Sequence, residues 1–386
     1  MSSDTTLPYD QDHSFDKFVS YSDKNIKNIQ KTRAINIINS SIKNKKIQEK
    51  KLKIINMVYD SLNNNSELST FNISSYEADE MQLLENNQIV DYLYHRYRYM
   101  VYPREKIIDN YPPVLQIEPA SVCNFRCVFC YQIDETFNKK KSGFMGTMTF
   151  DLFKQIIDQI EGEIGFITMA SRGEPLLAKD LPKMLDYING KFLTVKINTN
   201  ASMLNEKMIH NILSSGVNTV VFSADAAEEN LYSRLRVNGS LNKTLKNIEL
   251  FSKIKGKQYS DTKLITRVSG VMYDRKNQDL DSMVQLWGSL VDQVSFVNYC
   301  PWENIYKAEP NNIKEPCSDL WRRMFVWFDG SMNPCDSDYK SILSLGSIEN
   351  NTISELWCSE AFDSLRKKHL SKDRLSVNPC NGCTVV

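Results

Sequence analysis

Between residues 24 and 61 the apolar positions recur at loosely helical spacing, through Ile26, Ile29, Ile35, Ile38, Ile42, Ile47, Leu52, Ile55 and Val58, as one face of a 3.6-residue repeat requires. The polar run 63–66 breaks this pattern, and a second helix is predicted over 75–102, stopping before Pro103. Its end is crowded with Tyr92, Tyr94, Tyr97, Tyr99 and Tyr102, which read as a packing face; aromatics interleaved with arginine can also stack bases. Ahead of both helices, residues 1–23 are polar and aperiodic, and read as an extended or mobile leader.

Past Pro112 and Pro113 the texture changes. Short apolar runs at 114–118, 165–170, 193–199, 219–223, 263–271 and 293–298 alternate with helical patterns at 150–160, 180–188, 206–213, 241–254 and 278–288. Six such steps imply an α/β fold with a parallel sheet buried on both faces. Further on, 324–328 and 331–333 flank Asp329-Gly330, a good hairpin turn, and a helix is predicted over 353–370. The pattern divides the chain into a mostly helical extension (1–111), an α/β core (112–305) and a small hairpin-plus-helix unit (306–386).

Composition narrows the class. Lysine plus arginine and aspartate plus glutamate both number 47 in 386 residues, so global charge calls for neither nucleic acid nor a membrane. The segment 24–53 is basic, and a solvated helix face is the commoner meaning of that pattern. No run of about 18 apolar residues occurs, and the first ten residues lack a signal peptide's basic start and apolar core. The expectation is a cytoplasmic protein, in which nine cysteines suggest metal ligation more than disulfides.

Three of those cysteines, Cys123, Cys127 and Cys130, stand at C-x3-C-x2-C spacing directly after the first strand of the core. Ligands of parallel sheets sit at the C-terminal ends of strands, so placement and chemistry agree. Three thiolates can hold three irons of a [4Fe-4S] cluster, and no fourth cysteine follows until Cys300, which leaves one iron open to a small molecule. A zinc knot is the rival reading, but zinc sites close with four ligands. The motif resembles the signature of the radical S-adenosylmethionine (SAM) enzymes, and the resemblance implies a partial (β/α)6 TIM-like barrel in which SAM chelates the open iron.

Further residues carry the same resemblance. After the second strand, Ser171-Arg172-Gly173-Glu174-Pro175 is similar to the family's Gly-Gly-Glu-Pro turn, which holds the SAM amino group; Arg172 replaces the first glycine. Asn198, Asn200 and Ser223, at the ends of the third and fourth strands, are implied to face SAM. Arg236 is implied as a partner of the SAM carboxylate, with Arg234 an equal competitor by position, and Phe129 as the aromatic near the adenine. Arg267, if it points inward, is a substrate or SAM contact. At the C-terminal end Cys317, Cys335, Cys380 and Cys383 can hold zinc or an iron–sulfur cluster equally well on ligand count. They resemble the shortened SPASM or "twitch" extension of these enzymes, which carries one auxiliary [4Fe-4S] cluster. Cys300 and Cys358 stand apart as single thiols, and Cys300 is placed to line the active site.

The implied cofactors are two [4Fe-4S] clusters and SAM, with a reductant such as flavodoxin or ferredoxin as partner. The resemblance implies reductive cleavage of SAM to a 5′-deoxyadenosyl radical, which takes hydrogen from a sugar- or cyclitol-like small molecule. A closed auxiliary cluster would then accept an electron, making the net reaction an oxidation. The alternatives are a maturase acting on a ribosomally made peptide, with residues 1–111 recruiting a leader, and a non-catalytic zinc-binding interaction protein. No catalytic acid or base is identified from the sequence.

Overall fold

The computed structural model describes residues 7–64 and 70–386. Its strands are β1 (Phe15–Ser20), β2 (Val114–Ile117), β3 (Arg126–Cys127), β4 (Phe166–Met169), β5 (Thr194–Thr199), β6 (Thr219–Ser223), β7 (Arg236–Val237), β8 (Ile265–Met272), β9 (Gln293–Asn298), β10 (Arg323–Val326), β11 (Ser331–Asn333) and β12 (Gly346–Ser347). Ten of them form one sheet in the order β1-β9-β8-β6-β5-β4-β2-β10-β11-β12. The six central strands run parallel, joined through helices that include Phe150–Ile160, Leu181–Tyr187, Glu206–Leu213, Leu241–Gln258 and Leu280–Gly288. This is the partial (β/α)6 barrel.

The two faces of the barrel sheet differ, contrary to the expectation of strands buried apolar on both sides. Along β5, Val195 and Ile197 join the main core under the helices, while Lys196 and Asn198 face an internal cavity. Alternation of period two produces this division. Gln116, Thr168 and Ser269 line the same interior, so the barrel encloses a polar chamber.

The first segment does more than precede the barrel. Residues 15–20, taken from the sequence as leader, form β1 and pair antiparallel with β9, Phe18 opposite Ser295 and Val19 opposite Val294. With Asp16, Lys17 and Ser20 interspersed, the strand carries the polar character usual at a sheet edge, which hid it from a periodicity reading. Upstream, Tyr9 bridges to Val385, with its N–H donating to the Thr384 carbonyl at 2.8 Å. Residues 1–6 of the expected leader lie outside the described residues.

Helices α1 (Ile26–Lys43), α2 (Glu49–Asn63), α3 (Ser75–Gln82) and α4 (Ile89–Glu105) build a second core that reaches Val114 and Phe166 at the N-terminal ends of barrel strands. The helix predicted over 75–102 is thus two helices. It also runs through Pro103 into its last turn, and the chain leaves through a left-handed Lys106. The break predicted at 63–66 lies partly outside the described residues, and α2 ends at Asn63. Arg96 of α4 lies over Phe166 at 4.8 Å and near Tyr92 and Tyr99, paired with Glu80. These aromatic faces are used in packing, as expected of the tyrosine-rich end. At Gly165 an added Cβ would meet the His95 ring at 2.7 Å, so α4 seats directly on the start of β4.

At the other edge β10 joins β2 in parallel, Phe325 opposite Gln116, and turns back into β11 through Gly330 at φ +83°. The expected hairpin exists, and it extends the barrel sheet itself. The helix expected over 353–370 is broken into Ile353–Trp357 and Glu360–Leu370, because Ser359 caps the second piece by accepting from Phe362 N–H.

Candidate active site

β2 delivers the chain into the loop that bears Cys123, Cys127 and Cys130. A short antiparallel ladder, β3 with β7, places Cys127 opposite Arg236. Around the thiols stand weak N–H donors: Phe125 N at 3.4 Å from Cys123 Sγ, Arg236 Nη1 at 3.8 Å from Cys127 Sγ and Asn200 Nδ2 at 4.0 Å from Cys123 Sγ. Burial pushes the Cys123 thiol up to about 12 and raises Cys127 and Cys130 also. Left to themselves these thiols stay protonated; a bound metal centre reverses that order by favouring thiolate.

The Gly173 turn presses against this loop. A Cβ there would stand 2.4 Å from the Val122 carbonyl and 2.5 Å from that of Ala120, so only glycine fits the approach. Glu174 N–H donates to the Val122 carbonyl at 2.9 Å, and Gln132 Nε2 donates to the carbonyls of Ser121 (2.7 Å) and Arg172 (2.5 Å). The Glu174 carboxylate is buried and accepts from Thr199 Oγ1 (2.6 Å), Asn200 N (2.7 Å) and Leu176 N (3.1 Å). Burial nevertheless raises its pKa to about 7.

Seven of the eight predicted cofactor residues, namely Phe129, Gly173, Glu174, Asn198, Asn200, Ser223 and Arg236, line one cavity of about 470 Å³ with the three thiols. Pro175 does not line it; buried, it starts the short turn Pro175–Leu177. Asn200 has much of its hydrogen bonding committed within the scaffold, donating to Asn124 Oδ1 and accepting from Ser202. Of the competing arginines, Arg236 faces the cavity and pairs with Asp225 at 2.5 Å. Arg234 is an exposed partner of Asp274. Arg267 does point inward.

Arg172, the departure from the family turn, has a partner the sequence did not reveal. Its guanidinium grips Glu118 at the end of β2 through Nε (2.7 Å) and Nη2 (2.6 Å), and Nη1 donates to the Tyr339 carbonyl at 2.9 Å. It lies 4.1 Å from the Trp327 ring centre, and Glu118 also accepts from Phe328 N–H. One buried ion pair therefore ties the turn to the C-terminal unit. The available signal was a charged residue at each of two neighbouring strand ends.

The second thiol set is gathered from distant positions. Cys317, Cys335 and Cys383 line the same cavity as the first set, and half-buried Cys380, outside that lining, is close enough to Cys383 and Cys317 to feel their charge. Burial with Asp336 and Asp338 raises Cys335, and burial with Cys383 and Cys317 raises Cys380; burial with Asp319 and Cys383 raises Cys317 to about 12. Buried Arg374 collects the carbonyls of Glu315, Cys380, Cys383 and Val385. Cys300 is buried against Thr384 Oγ1 at 3.5 Å and lines the cavity, while exposed Cys358 donates to the Asp109 carbonyl outside it.

These surroundings fit the implied cofactors. Each set offers free thiols, and no three His, Cys, Asp or Glu side chains among the described residues converge on a single-ion point. The irons of a cluster take one thiolate apiece. Ser171 Oγ and Asn198 Oδ1 are buried without partners in the cavity wall, as groups awaiting a polar ligand are. No helix among the described residues is long and apolar enough to cross a membrane.

Comparison with known proteins bears on the same two regions. The family model of the Radical SAM superfamily matches residues 117–284, and that of the SPASM iron–sulfur cluster-binding domain matches 317–384. An AdoMet-dependent heme synthase of Methanosarcina barkeri is 28% identical over 147 residues, 38% of this chain and 41% of that protein. The chain spans less than half the length of the first curated relatives it matches. A 2-deoxy-scyllo-inosamine dehydrogenase of Niallia circulans, dependent on SAM, is 21% identical over 283 residues, 72% of this chain and 95% of that one. The SuiB protein of Streptococcus suis superposes with a TM-score of 0.54 at 13% identity, covering 83% of this chain and 84% of its own; that likeness speaks for the fold alone. The matches replace the zinc-binding reading, and the cofactors are SAM and [4Fe-4S] clusters. The chain belongs to the radical SAM superfamily and carries a SPASM-type cluster-binding domain at its C-terminal end.

Proposed function

We propose that this enzyme oxidises a sugar- or cyclitol-like small molecule. One observation carries the reading: the first thiol set and three of the four thiols of the second line a single cavity, so a substrate held there lies between a centre that starts radical chemistry and one that can take up an electron. When bound, the first cluster and SAM supply the 5′-deoxyadenosyl radical that removes hydrogen from the substrate. Cys123, Cys127 and Cys130 would hold that cluster, and Cys317, Cys335, Cys380 and Cys383 the auxiliary one. Gly173, Asn198, Ser223 and Arg236 would hold SAM, with Phe129 beside the adenine, while Glu174, Pro175 and Asn200 shape the turn and loop that carry it.

The protein's own contribution is enclosure and orientation. Tyr9, Gln11, Ser14 and Phe15 close the cavity's flank between β9 and the C-terminal unit. The volume is within the range of small-molecule sites. The SAM-dependent dehydrogenase of N. circulans, similar over most of its length, supports the choice of oxidation. SuiB is seen bound to a precursor peptide, which keeps peptide modification as the competing reading. Within 7–111 the described strand is β1, spent on β9, and no leader-binding hairpin stands among the described residues there.

The test is anaerobic reconstitution followed by incubation with SAM, a reductant and a panel of polyols, with 5′-deoxyadenosine and oxidised product measured together. Equal amounts of both support oxidation. Product formed only from a peptide would overturn the small-molecule reading, and a protein that stays colourless after reconstitution would overturn radical chemistry altogether.

A further inference from the structure

The floor of the cavity is cationic. Lys196 of β5, Arg267 of β8 and Arg323 of β10 project from three strands into the interior, where the active cavity meets a second lobe of about 570 Å³ running toward α3 and α4. Arg323 is paired with Asp319 at 3.0 Å. The other two have no carboxylate in ion-pair contact among the described residues. Arg267 spends Nε and Nη2 on the neutral Gln293 Oε1 (2.8 and 2.6 Å) and lies 4.6 Å from the Tyr76 ring centre. For Lys196 no ion pair or hydrogen bond is present among the described residues, and its strand neighbours are Thr168 and Thr219. Burial, helped by Arg267 and Arg323 and opposed by Glu80, lowers its ammonium to about 8.

Buried charges are ordinarily paired. Carboxylates line the chamber too, but Glu80 is paired with Arg96 and Asp319 with Arg323, while Asp336 stands beside Cys335. Lys196 and Arg267, without an ion-pair partner among the described residues, constitute an unfilled half of an ion pair. We infer that the substrate carries an anionic oxygen group, a carboxylate or a phosphate, which docks on Lys196 and Arg267 and turns the rest of the molecule toward the thiol loop. The inference rests on the small-molecule reading above and sharpens it. Both cations suit such a group, Lys196 as a point charge and Arg267 through the donors not given to Gln293. The same pair repels an ammonium group, so an amino-cyclitol is selected against.

The test titrates inorganic phosphate, and separately succinate, into anaerobically reconstituted holoenzyme with SAM present, using calorimetry. One of the two anions saturates a single site, and which one tells phosphate from carboxylate. Lys196→Gln weakens that binding by roughly tenfold or more, as the loss of a charged hydrogen bond does, while Lys196→Arg restores it. Unchanged affinity in Lys196→Gln, or no binding of either anion, overturns the inference. Should Lys196→Gln fail to retain its clusters, the wild type still decides: myo-inositol 1-phosphate or glucuronate binds more tightly than uncharged myo-inositol, and equal binding of all three overturns the proposal. 5′-Deoxyadenosine is measured in the same holoenzyme. Anion binding without SAM cleavage sinks the reaction and spares the anion site; SAM cleavage without anion preference does the reverse.

Discussion

The two thiol sets solve the same problem in opposite ways. The first is local: three cysteines within eight positions, fixed by the β3–β7 ladder and by carbonyl contacts that need Gly173. The second is assembled across 67 positions, from Cys317 before the hairpin to Cys383, and relies on Arg374 to draw four carbonyls together. A local motif survives in sequence as spacing. A gathered one depends on the fold around it, so it should fail by different routes.

The sharpest separation comes from Cys127→Ala, which should reduce 5′-deoxyadenosine formation to background in an anaerobic assay. Cys335→Ala should instead leave SAM cleavage in place while oxidised product disappears; if both vanish, the second set acts only as scaffold. Glu118→Gln strikes the link between the sets by leaving Arg172 buried and unpaired, at a cost of about 3–5 kcal/mol, read as a lowered midpoint in chemical denaturation. Arg374→Met strips the carbonyls of the second set, costing about 2–4 kcal/mol; iron should fall from about eight to about four atoms per chain as only the first cluster is kept. Gly173→Ala should have the mildest effect, about 1–3 kcal/mol of strain between turn and loop, seen as weaker SAM binding with the iron content unchanged.

What the sequence disclosed follows the same division. Cysteine spacing in the first set and the barrel's alternation of strands and helices are local signals, and that set and all six central strands were legible from them, whereas the second set was grouped through its resemblance to the SPASM extension. The partner of Arg172 and the unpaired state of Lys196 were not. Glu118 and Arg172 lie 54 positions apart, and an unpaired lysine inside a barrel looks on paper like one more polar residue on a strand. β1 escaped because its pairing partner lies nearly 280 residues later, and an edge strand of mixed polarity carries little periodicity of its own. Arg236 could be told from Arg234 only once the β7 ladder fixed which of them turns inward.

The parallel pairing of β10 with β2 has a consequence for timing. Because β11, which leads to Cys335, is hydrogen-bonded to β10, and β10 in turn to the strand that precedes Cys123, no hinge in that sheet separates the two centres. Their spacing is set by an unbroken ladder acting as a ruler. Electron hopping between redox groups decays steeply with separation, so a rigid gauge of this kind would give each turnover the same hop, without waiting for a domain to swing into place.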